Sequence, residues 1–237
     1  MRRKATLGEV ARSAGVSLQT VSNVVNNKPI VRKETRDLVL KHLALCGYRG
    51  NALARSLKTN TSRLIGLVVP SMTNSMYAEV AESVVYEAER RGYTVMMAVT
   101  KRDAQTETEL VHTIIDHSAA GILMSPSDPA AEASKAAVKT GIPYVEMLNR
   151  GLEGGCDVFE ADNFKGAFVA VTHLIAQGHR RIAFIGGLPN STGTNRQQGY
   201  EEALAGAGIA LDRDIIVCGE YTRDGGRLAC EHLIAAS

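Results

Sequence analysis

The chain has 237 residues, of which 45% are hydrophobic and 22% are charged, a composition typical of ordinary globular proteins. Its net charge of +2 hides an asymmetry, because residues 1–63 hold 13 Lys and Arg against 3 Asp and Glu, whereas residues 64–237 hold 14 against 22. The basic head predicts contact with a polyanion such as nucleic acid, although its charge alone fits a solvated basic segment equally well.

The first predicted elements are two short helices joined by a tight turn. Thr6 can cap a helix that begins at Leu7, Glu9 completes a capping box, and Gly15 ends the helix. Ser17 can cap a second helix over residues 18–25. On this second helix we expect Val21, Val24 and Val25 to pack inward and Leu18, Gln19, Ser22 and Asn23 to face outward. A third helix, from Arg32 or Lys33 to about Leu45, closes the core through Leu38, Val39, Leu43 and Leu45. This pattern is typical of a helix-turn-helix.

The stretch TLGEVARSAGVSLQTVSNVVNNKPIVRKETRDLVLKHLALCGYRGNALARSLKT resembles the DNA-binding head of the lactose/galactose repressor family. The resemblance implies that Leu18, Gln19 and Asn23 read base edges in the major groove, where Gln and Asn can each pair bidentately with adenine. It also implies contacts to phosphates, which position the head without reading sequence. The residues so implied are Thr6, Ser17, Thr20, Ser22, Asn26 and Thr35. The alternative is that these polar side chains only cover a solvated helix.

A short helix capped by Asn51 is predicted to follow, over residues 51–58. Eight residues are too few for a stable isolated helix. In the resembling family this segment is a hinge that orders on specific DNA, and its leucine wedges between base pairs in the minor groove. The corresponding residue is Leu57, flanked by Arg55 and Lys58. The alternative interpretation makes Leu57 an ordinary linker anchor.

From Leu64 onward, short apolar runs alternate with segments of helical periodicity. Strands are predicted at residues 64–69, 93–99, 121–124 and 144–147, with helices at 77–91, 106–117 and 129–140 between them. A second set places helices at 163–177, 195–207 and 225–236 around strands at 181–187 and 215–218. Such alternation predicts a parallel sheet with helices on both faces. Two successive units predict two lobes, with a ligand cleft at the carboxyl ends of their strands.

This body resembles the periplasmic-binding-protein-like core of the same family. The motifs are DNFKGAFVAVTHLIAQGHRRIAFIGG at 162–187, NRQQGYEEAL at 195–204 and DGGRLACEHLI at 224–234. The resemblance implies that Arg196 grips a hydroxyl or carboxylate of the effector, although a structural salt bridge fits Arg196 as well. Asp162 is expected to accept a hydrogen bond at the lobe junction or to cap the next helix, and Tyr77 to stack on the effector or to pack in the core. Asn149 stands where many relatives have Asp, which puts in doubt any role that needs a negative charge there.

Other motifs argue against an enzyme. The sequence has no GxSxG, HExxH or P-loop and no GxGxxG after a strand. Its four cysteines and six histidines lack metal-ligand spacing, so we expect no metal or cofactor and free thiols in a reducing compartment. Because no apolar run follows the basic N-terminus or reaches the roughly 18 residues that span a bilayer, we expect no signal peptide, no membrane partner and a cytoplasmic location. A solute-binding or chemosensory protein with the same core is the alternative, against which the basic head argues.

The sequence therefore predicts a multidomain transcription regulator. An all-α helix-turn-helix head (1–50) is followed by a hinge helix and linker (51–62) and by the two lobes of an α/β core (63–160 and 161–237). The resemblance implies a repressor of carbohydrate or sugar-acid genes. It implies a homodimer or a tetramer on a pseudo-palindromic double-stranded operator, with a sugar or sugar acid as the effector that controls operator affinity. It also implies further strand–helix units, so we expect the second lobe to be incomplete in this chain.

Overall fold

The structure is a computed structural model that describes residues 5–48, 62–127, 132–151 and 155–235. Two compact units divide the chain, Met1–Thr61 and Ser62–Ser237. Among the helices in the described ranges, none is long and apolar enough to cross a membrane.

The smaller unit contains the predicted helix-turn-helix. Its helices within the described residues are α1 (Leu7–Ala14), α2 (Leu18–Val25) and α3 (Lys33–Leu45). Thr6 caps α1 by accepting a hydrogen bond from the Glu9 amide, and the Glu9 carboxylate accepts one from the Thr6 amide at 2.8 Å, which completes the capping box. Gly15 ends α1 with a φ of 64°, a left-handed conformation that costs glycine least.

The core of this unit is a small apolar cluster shared by the three helices. Its buried members are Val10, Ala11, Ala14, Val21, Val24 and Val39. Two residues that the sequence placed in this core lie outside it, because Leu38 is 42% exposed and Leu45 is 70% exposed. Helix α3 meets its neighbours along one stripe, through Val39 and the partly buried Leu43 one turn later. Leu38 and Leu45 are rotated about 100° and 120° away from Val39 around the helix.

The larger unit begins with a lobe built on a five-stranded sheet. Its elements are β1 (Leu64–Val69), α4 (Ser75–Arg90), β2 (Thr94–Val99), α5 (Ala104–Asp116), β3 (Gly121–Met124), α6 (Glu132–Lys139), β4 (Tyr144–Met147) and β5 (Asp157–Phe159). The strand order is β2-β1-β3-β4-β5, and each neighbouring pair is parallel. Helices α5 and α6 pack on one face and α4 on the other. Burial on both faces explains the continuous apolar run of β1.

The second lobe in the described residues has a two-stranded parallel sheet, β6 paired with β7. Its elements are α7 (Asn163–Ala176), β6 (Phe184–Gly186), α8 (Ser191–Gly206), a 3₁₀ turn (Arg213–Ile215), β7 (Ile216–Cys218) and α9 (Arg223–Ala235). Helices α7 and α8 cross closely at Gly199, where an added Cβ would lie 2.2 Å from the carbonyl oxygen of Phe164. The predicted alternation of strands and helices is therefore confirmed in both lobes.

Among the described residues, three elements differ most from what the sequence predicted. The strand β5 was not predicted at all. The strand β6 is shorter than the predicted run 181–187, because its partner β7 offers only Ile216–Cys218 for pairing. Helix α8 begins at Ser191 and not at residue 195, because Asn190 caps it by accepting a hydrogen bond from the Gly193 amide at 2.9 Å. Residues 129–131 of the helix predicted at 129–140 lie outside the described ranges.

Candidate functional site

The outer face of α2 presents two neighbouring side chains to solvent. Leu18 is 55% exposed, and Gln19 beside it is exposed as well. They follow Ser17, which caps α2 by accepting a hydrogen bond from the Thr20 amide at 3.1 Å. This exposed pair lies at the N-terminal end of the second helix of a helix-turn-helix, the part that meets base edges when such a helix enters the major groove.

Asn23 does not face outward as the sequence predicted, because only 9% of it is exposed. Gln19 lies one turn earlier, and its Nε2 donates to Asn23 Oδ1 at 2.9 Å. The chain folds back after α2, so that the Lys28 amide donates to the Asn23 carbonyl at 2.9 Å. Asn23 therefore lies at the buried edge of α2, between Gln19 and the returning chain.

The predicted phosphate-contacting side chains lie at or near helix ends. The hydroxyls of Ser17 and Thr20 lie 2.8 Å apart at the start of α2. At its end, Asn26 Nδ2 donates to the Ser22 carbonyl at 2.8 Å and to the Ser22 hydroxyl at 3.3 Å. The other two are Thr6, the cap of α1, and Thr35, half-buried in the first turn of α3. Each of these residues thus lies on or beside a helix of the small unit. The predicted hinge residues Asn51, Arg55, Leu57 and Lys58 lie outside the described residues.

In the larger unit, the two lobes meet at the carboxyl ends of their strands. The start of α8 is fastened to the segment that follows β4. Thr192 Oγ1 donates to the Leu148 carbonyl at 2.8 Å, and the Arg150 amide donates to Ser191 Oγ at 2.8 Å. Leu148 adopts a φ of 67°, unusual for a residue with a side chain. We refer to these four residues, Leu148, Arg150, Ser191 and Thr192, as the lobe clasp.

Arg196 lies on the same helix, next to a tyrosine that the sequence did not single out. Its Nε donates to Oδ1 of the buried Asn163 at 2.8 Å, and its guanidinium carbon lies 6.0 Å from the ring centroid of Tyr221. Among the described residues, the buried Tyr221 hydroxyl has no hydrogen-bond partner. Burial is the largest effect on the Tyr221 hydroxyl, and it raises the pKa of that group. The smaller effects are those of Arg196, which lowers this pKa, and Tyr77, which raises it, so the net change is a rise. At the carboxyl ends of the strands, the cationic Arg196 therefore lies beside the neutral hydroxyl of Tyr221.

Two predicted effector contacts occupy structural positions. Tyr77 is 7% exposed and packs with Leu67, Ala81 and Met147 in the core, which leaves little ring surface for stacking. Asp162 caps α7 by accepting a hydrogen bond from the Lys165 amide at 2.9 Å. These are the core and cap alternatives that the sequence had left open.

Asn149, which the resemblance placed at a position where many relatives have Asp, is buried as well. Asn149 is 3% exposed, and its Nδ2 donates to Ser125 Oγ at 3.3 Å. A neutral amide thus bonds to a hydroxyl between the ends of β3 and β4. Within the described residues, no group of three or more His, Cys, Asp or Glu side chains is placed to hold a metal ion.

The sequence contained signals for the residues that were not singled out. Tyr221 follows the predicted strand 215–218, so the rule that ligands bind at the carboxyl ends of strands points to it. Asn163 lies next to Asp162 in the DNFKG motif, where a role was assigned to its neighbour. The clasp residues Ser191 and Thr192 lie between the predicted strand 181–187 and the predicted helix 195–207, in a segment for which no element was predicted.

Two family models match the chain. Residues 6–51 match the bacterial regulatory proteins of the lacI family, and residues 62–236 match the periplasmic binding proteins and sugar binding domain of the LacI family. The second match alone covers most of the chain. The two models meet near the division between the two compact units.

Curated relatives and solved structures agree with these models. The chain is 31% identical to catabolite control protein A of Priestia megaterium over 97% of the chain and 70% of that protein. It is 33% identical to the ribose operon repressor of Haemophilus influenzae over 98% of the chain and 70% of that protein. The lac repressor dimer bound to operator and the anti-inducer ONPF superposes with a TM-score of 0.84 at 25% identity, covering 99% of this chain and 71% of that one. The regulator CelR in complex with cellobiose gives a TM-score of 0.61 at 29% identity, over 98% of this chain and 71% of that one. The chain thus belongs to the LacI family of bacterial regulatory proteins, and it is a DNA-binding transcription regulator, not an enzyme.

Proposed function

We propose that this protein represses transcription by holding operator DNA through α2, and that a sugar or sugar acid bound between its lobes changes that hold. The observation that carries the proposal is the outer face of α2, where Leu18 and Gln19 are exposed at the start of the second helix of a helix-turn-helix. Such a face reads the major groove. Its place in a unit with a strong excess of basic residues supports the same role.

Base and phosphate contacts divide between different side chains. Gln19 pairs with adenine and Leu18 contacts a thymine methyl group. The polar groups at the helix ends contact phosphates and set the register of the head. These groups are Thr6, Ser17, Thr20, Ser22, Asn26 and Thr35.

The operator is a pseudo-palindrome bound by a homodimer or a tetramer. The operator-bound lac repressor dimer supports this arrangement, because two-fold symmetry in the protein matches two half-sites in the DNA. We assign residues 51–62 to the hinge, with Leu57 as the wedge that opens the central minor groove and Asn51, Arg55 and Lys58 beside it. Because its target is the bacterial chromosome, the protein acts in the cytoplasm.

The effector site is centred on Arg196, Asn163 and Tyr221. The guanidinium fork of Arg196 suits a carboxylate or a pair of sugar hydroxyls. The unpartnered Tyr221 hydroxyl, within the described residues, gains a hydrogen bond from such a ligand. The cellobiose complex of CelR supports a carbohydrate as the ligand class. An effector that binds one arrangement of the lobes more tightly shifts the population that is competent to hold DNA.

Selection from a pool of random duplexes with the whole chain tests the DNA half of the proposal. We expect one pseudo-palindromic sequence to be enriched and bound at least about 1,000-fold more tightly than random DNA. Gln19→Ala should weaken that binding by roughly ten- to a hundredfold, because it removes a bidentate base contact. The matched control is Gln105→Ala, an exposed glutamine on α5, which should leave affinity unchanged. A pool that shows no enrichment contradicts the proposal.

Operator affinity measured in the presence of sugars and sugar acids tests the effector half. We expect one compound class to change the operator Kd by roughly 5- to 150-fold. Arg196→Gln should abolish the response, whereas Arg227→Gln, which changes an exposed arginine on α9, should preserve it. An operator Kd that is the same with every compound refutes control by such effectors.

A further inference from the structure

A glutamate side chain is fully buried in the sheet of the first lobe. Glu146 lies in β4 and is 0% exposed. Its Oε1 accepts a hydrogen bond from the Tyr144 hydroxyl at 3.2 Å, and its Oε2 accepts one from the Gly151 amide at 2.8 Å. Because both oxygens accept hydrogen bonds, the ionised carboxylate fits this environment.

The two hydrogen bonds of Glu146 lead to different parts of the lobe. Tyr144 belongs to the same strand, and its hydroxyl lies 2.7 Å from Ser134 Oγ on α6. Gly151 comes four residues after the end of β4, so its amide reaches back to the sheet. An apolar residue would fill the place of Glu146 without the cost of burying a charge. What the carboxylate adds is a strong, charge-assisted bond that ties a segment outside the sheet to β4.

This segment, residues 148–151, is attached to both lobes, and we call it the connecting segment. On the first lobe, the Gly151 amide donates to Glu146, and Asn149 Nδ2 donates to Ser125 Oγ at 3.3 Å. The clasp bonds attach the same segment to α8 in the second lobe. The connecting segment therefore has one set of bonds to each lobe.

We propose that Glu146 is a positioning residue for effector control, which fixes the connecting segment on the first lobe so that the lobes move relative to each other at the clasp bonds. The proposal rests on the effector control of operator binding proposed above and names part of its regulation. Because Glu146 is 0% exposed, it acts through Gly151 and not by contact with a ligand. A segment that detached from β4 would let the second lobe move alone, and the preference of an effector for one arrangement would no longer change operator affinity.

Amide hydrogen exchange in the whole chain tests the attachment without any ligand. Glu146→Leu removes the acceptor, so the Gly151 amide should exchange roughly ten- to a hundredfold faster relative to the amides of the buried strand β1. The Arg150 amide, whose bond belongs to the clasp, should also exchange faster. Glu146→Gln keeps an acceptor for Gly151 and should restore most of the protection.

Operator affinity tests whether the attachment serves effector control. The readout is the ratio of the operator Kd values with and without a compound from the panel of sugars and sugar acids. In wild type this ratio should be roughly 5 to 150. It should fall toward 1 in Glu146→Leu and be largely retained in Glu146→Gln.

The matched control removes another buried carboxylate from the same lobe. Glu107 on α5 is also 0% exposed, and its Oε2 accepts a hydrogen bond from the Ser127 amide at 3.1 Å. Glu107→Leu should therefore lower stability, as Glu146→Leu does, but it should preserve the ratio of operator Kd values.

The outcomes distinguish this inference from the function on which it rests. Exchange at Gly151 that is unchanged in Glu146→Leu, relative to β1, would show that Glu146 does not hold the segment and would overturn the proposal. An equal fall of the ratio in Glu107→Leu would also overturn it, because loss of stability would then be the cause. A wild type whose operator Kd is the same with every compound refutes effector control itself, and the inference with it.

Discussion

At residue 199 the second lobe has room for a hydrogen atom and nothing larger. A Cβ there would lie 2.2 Å from the carbonyl oxygen of Phe164 and 3.0 Å from the amide nitrogen of Phe168. Both neighbours are backbone atoms of α7, which cannot rotate away as a side chain would. Gly206, at the C-terminal end of α8, has no atom within 4 Å of the corresponding position.

These two glycines of one helix should respond in opposite ways to the same substitution. Gly199→Ala forces α7 and α8 apart and should destabilise the larger unit by about 2–3 kcal/mol, the upper part of the range for overpacking in a tight core. Gly206→Ala should stabilise it by about 0.5 kcal/mol, because alanine restricts the unfolded chain. Urea unfolding followed by circular dichroism measures both. Equal effects of the two substitutions would show that the close crossing does not determine the stability of this lobe.

The residue scale also shows where sequence patterns fail to locate a side chain. The helical periodicity of α2 identified Val21 and Val24 as buried, because they lie at the centre of its apolar stripe. Asn23 lies at the border of that stripe. Its side chain accepts a hydrogen bond from Gln19, and its carbonyl accepts one from the Lys28 amide, and neither contact is visible in the spacing of apolar residues.

Two glycines, one inside α1 and one at its C-cap, have different backbone conformations. Gly15 has a φ of 64°, and no atom lies within 4 Å of an added Cβ. Gly8 lies within the helix, where the nearest atom to an added Cβ is Thr6 Oγ1 at 3.9 Å. Substitution at either site therefore changes backbone energetics alone, without steric overlap.

Alanine should destabilise the small unit at one of these sites and stabilise it at the other. Gly15→Ala should cost about 1 kcal/mol, because residues with a Cβ avoid the left-handed region. Gly8→Ala should contribute about 0.5–1 kcal/mol, because alanine is the better helix former. Native-state hydrogen exchange of the α1 amides gives both free energies. A destabilised α1 in Gly8→Ala would be inconsistent with this account.

Prediction from the sequence succeeded for helices whose ends are marked by capping residues. Helices α1 and α2 have the predicted bounds because Thr6, Ser17 and Gly15 mark where they begin or end. The strands β1 and β3 also have the predicted bounds, because each is an apolar run in a buried sheet. Strand β4 has its predicted bounds as well, although it contains the buried Glu146. The strand β5 has three residues and an exposed Asp157, so it lacks both the length and the pattern of a strand. It forms because Met147, at the end of β4, pairs with Phe159.

For the whole molecule, the lobe clasp offers a direct measure of how the two lobes are joined. The Arg150 amide donates to Ser191 Oγ across the junction. Ser191→Ala removes that acceptor and leaves the cap of α8, Asn190, in place. The Arg150 amide should then exchange its hydrogen roughly tenfold faster, the kinetic equivalent of one hydrogen bond.

Thr192→Val removes the other hydrogen bond of the clasp, because valine cannot donate to the Leu148 carbonyl. It should therefore loosen the same junction. Thr194→Val, which changes an exposed threonine on the same helix, is the control and should leave the exchange rate unchanged. Unchanged exchange at Arg150 in the clasp variants would mean that other contacts hold the lobes together.

The close crossing at Gly199 also has a mechanical consequence. Helices whose backbones touch cannot slide past each other without a clash, so we expect α7 and α8 to behave as one rigid unit. Arg196 lies on α8 and Asn163 on α7, and their side chains are hydrogen-bonded to each other. The start of α8 is fastened to the segment after β4. We therefore expect α7 and α8 to move together when a ligand contacts Arg196, while the clasp keeps the start of α8 attached to the segment after β4.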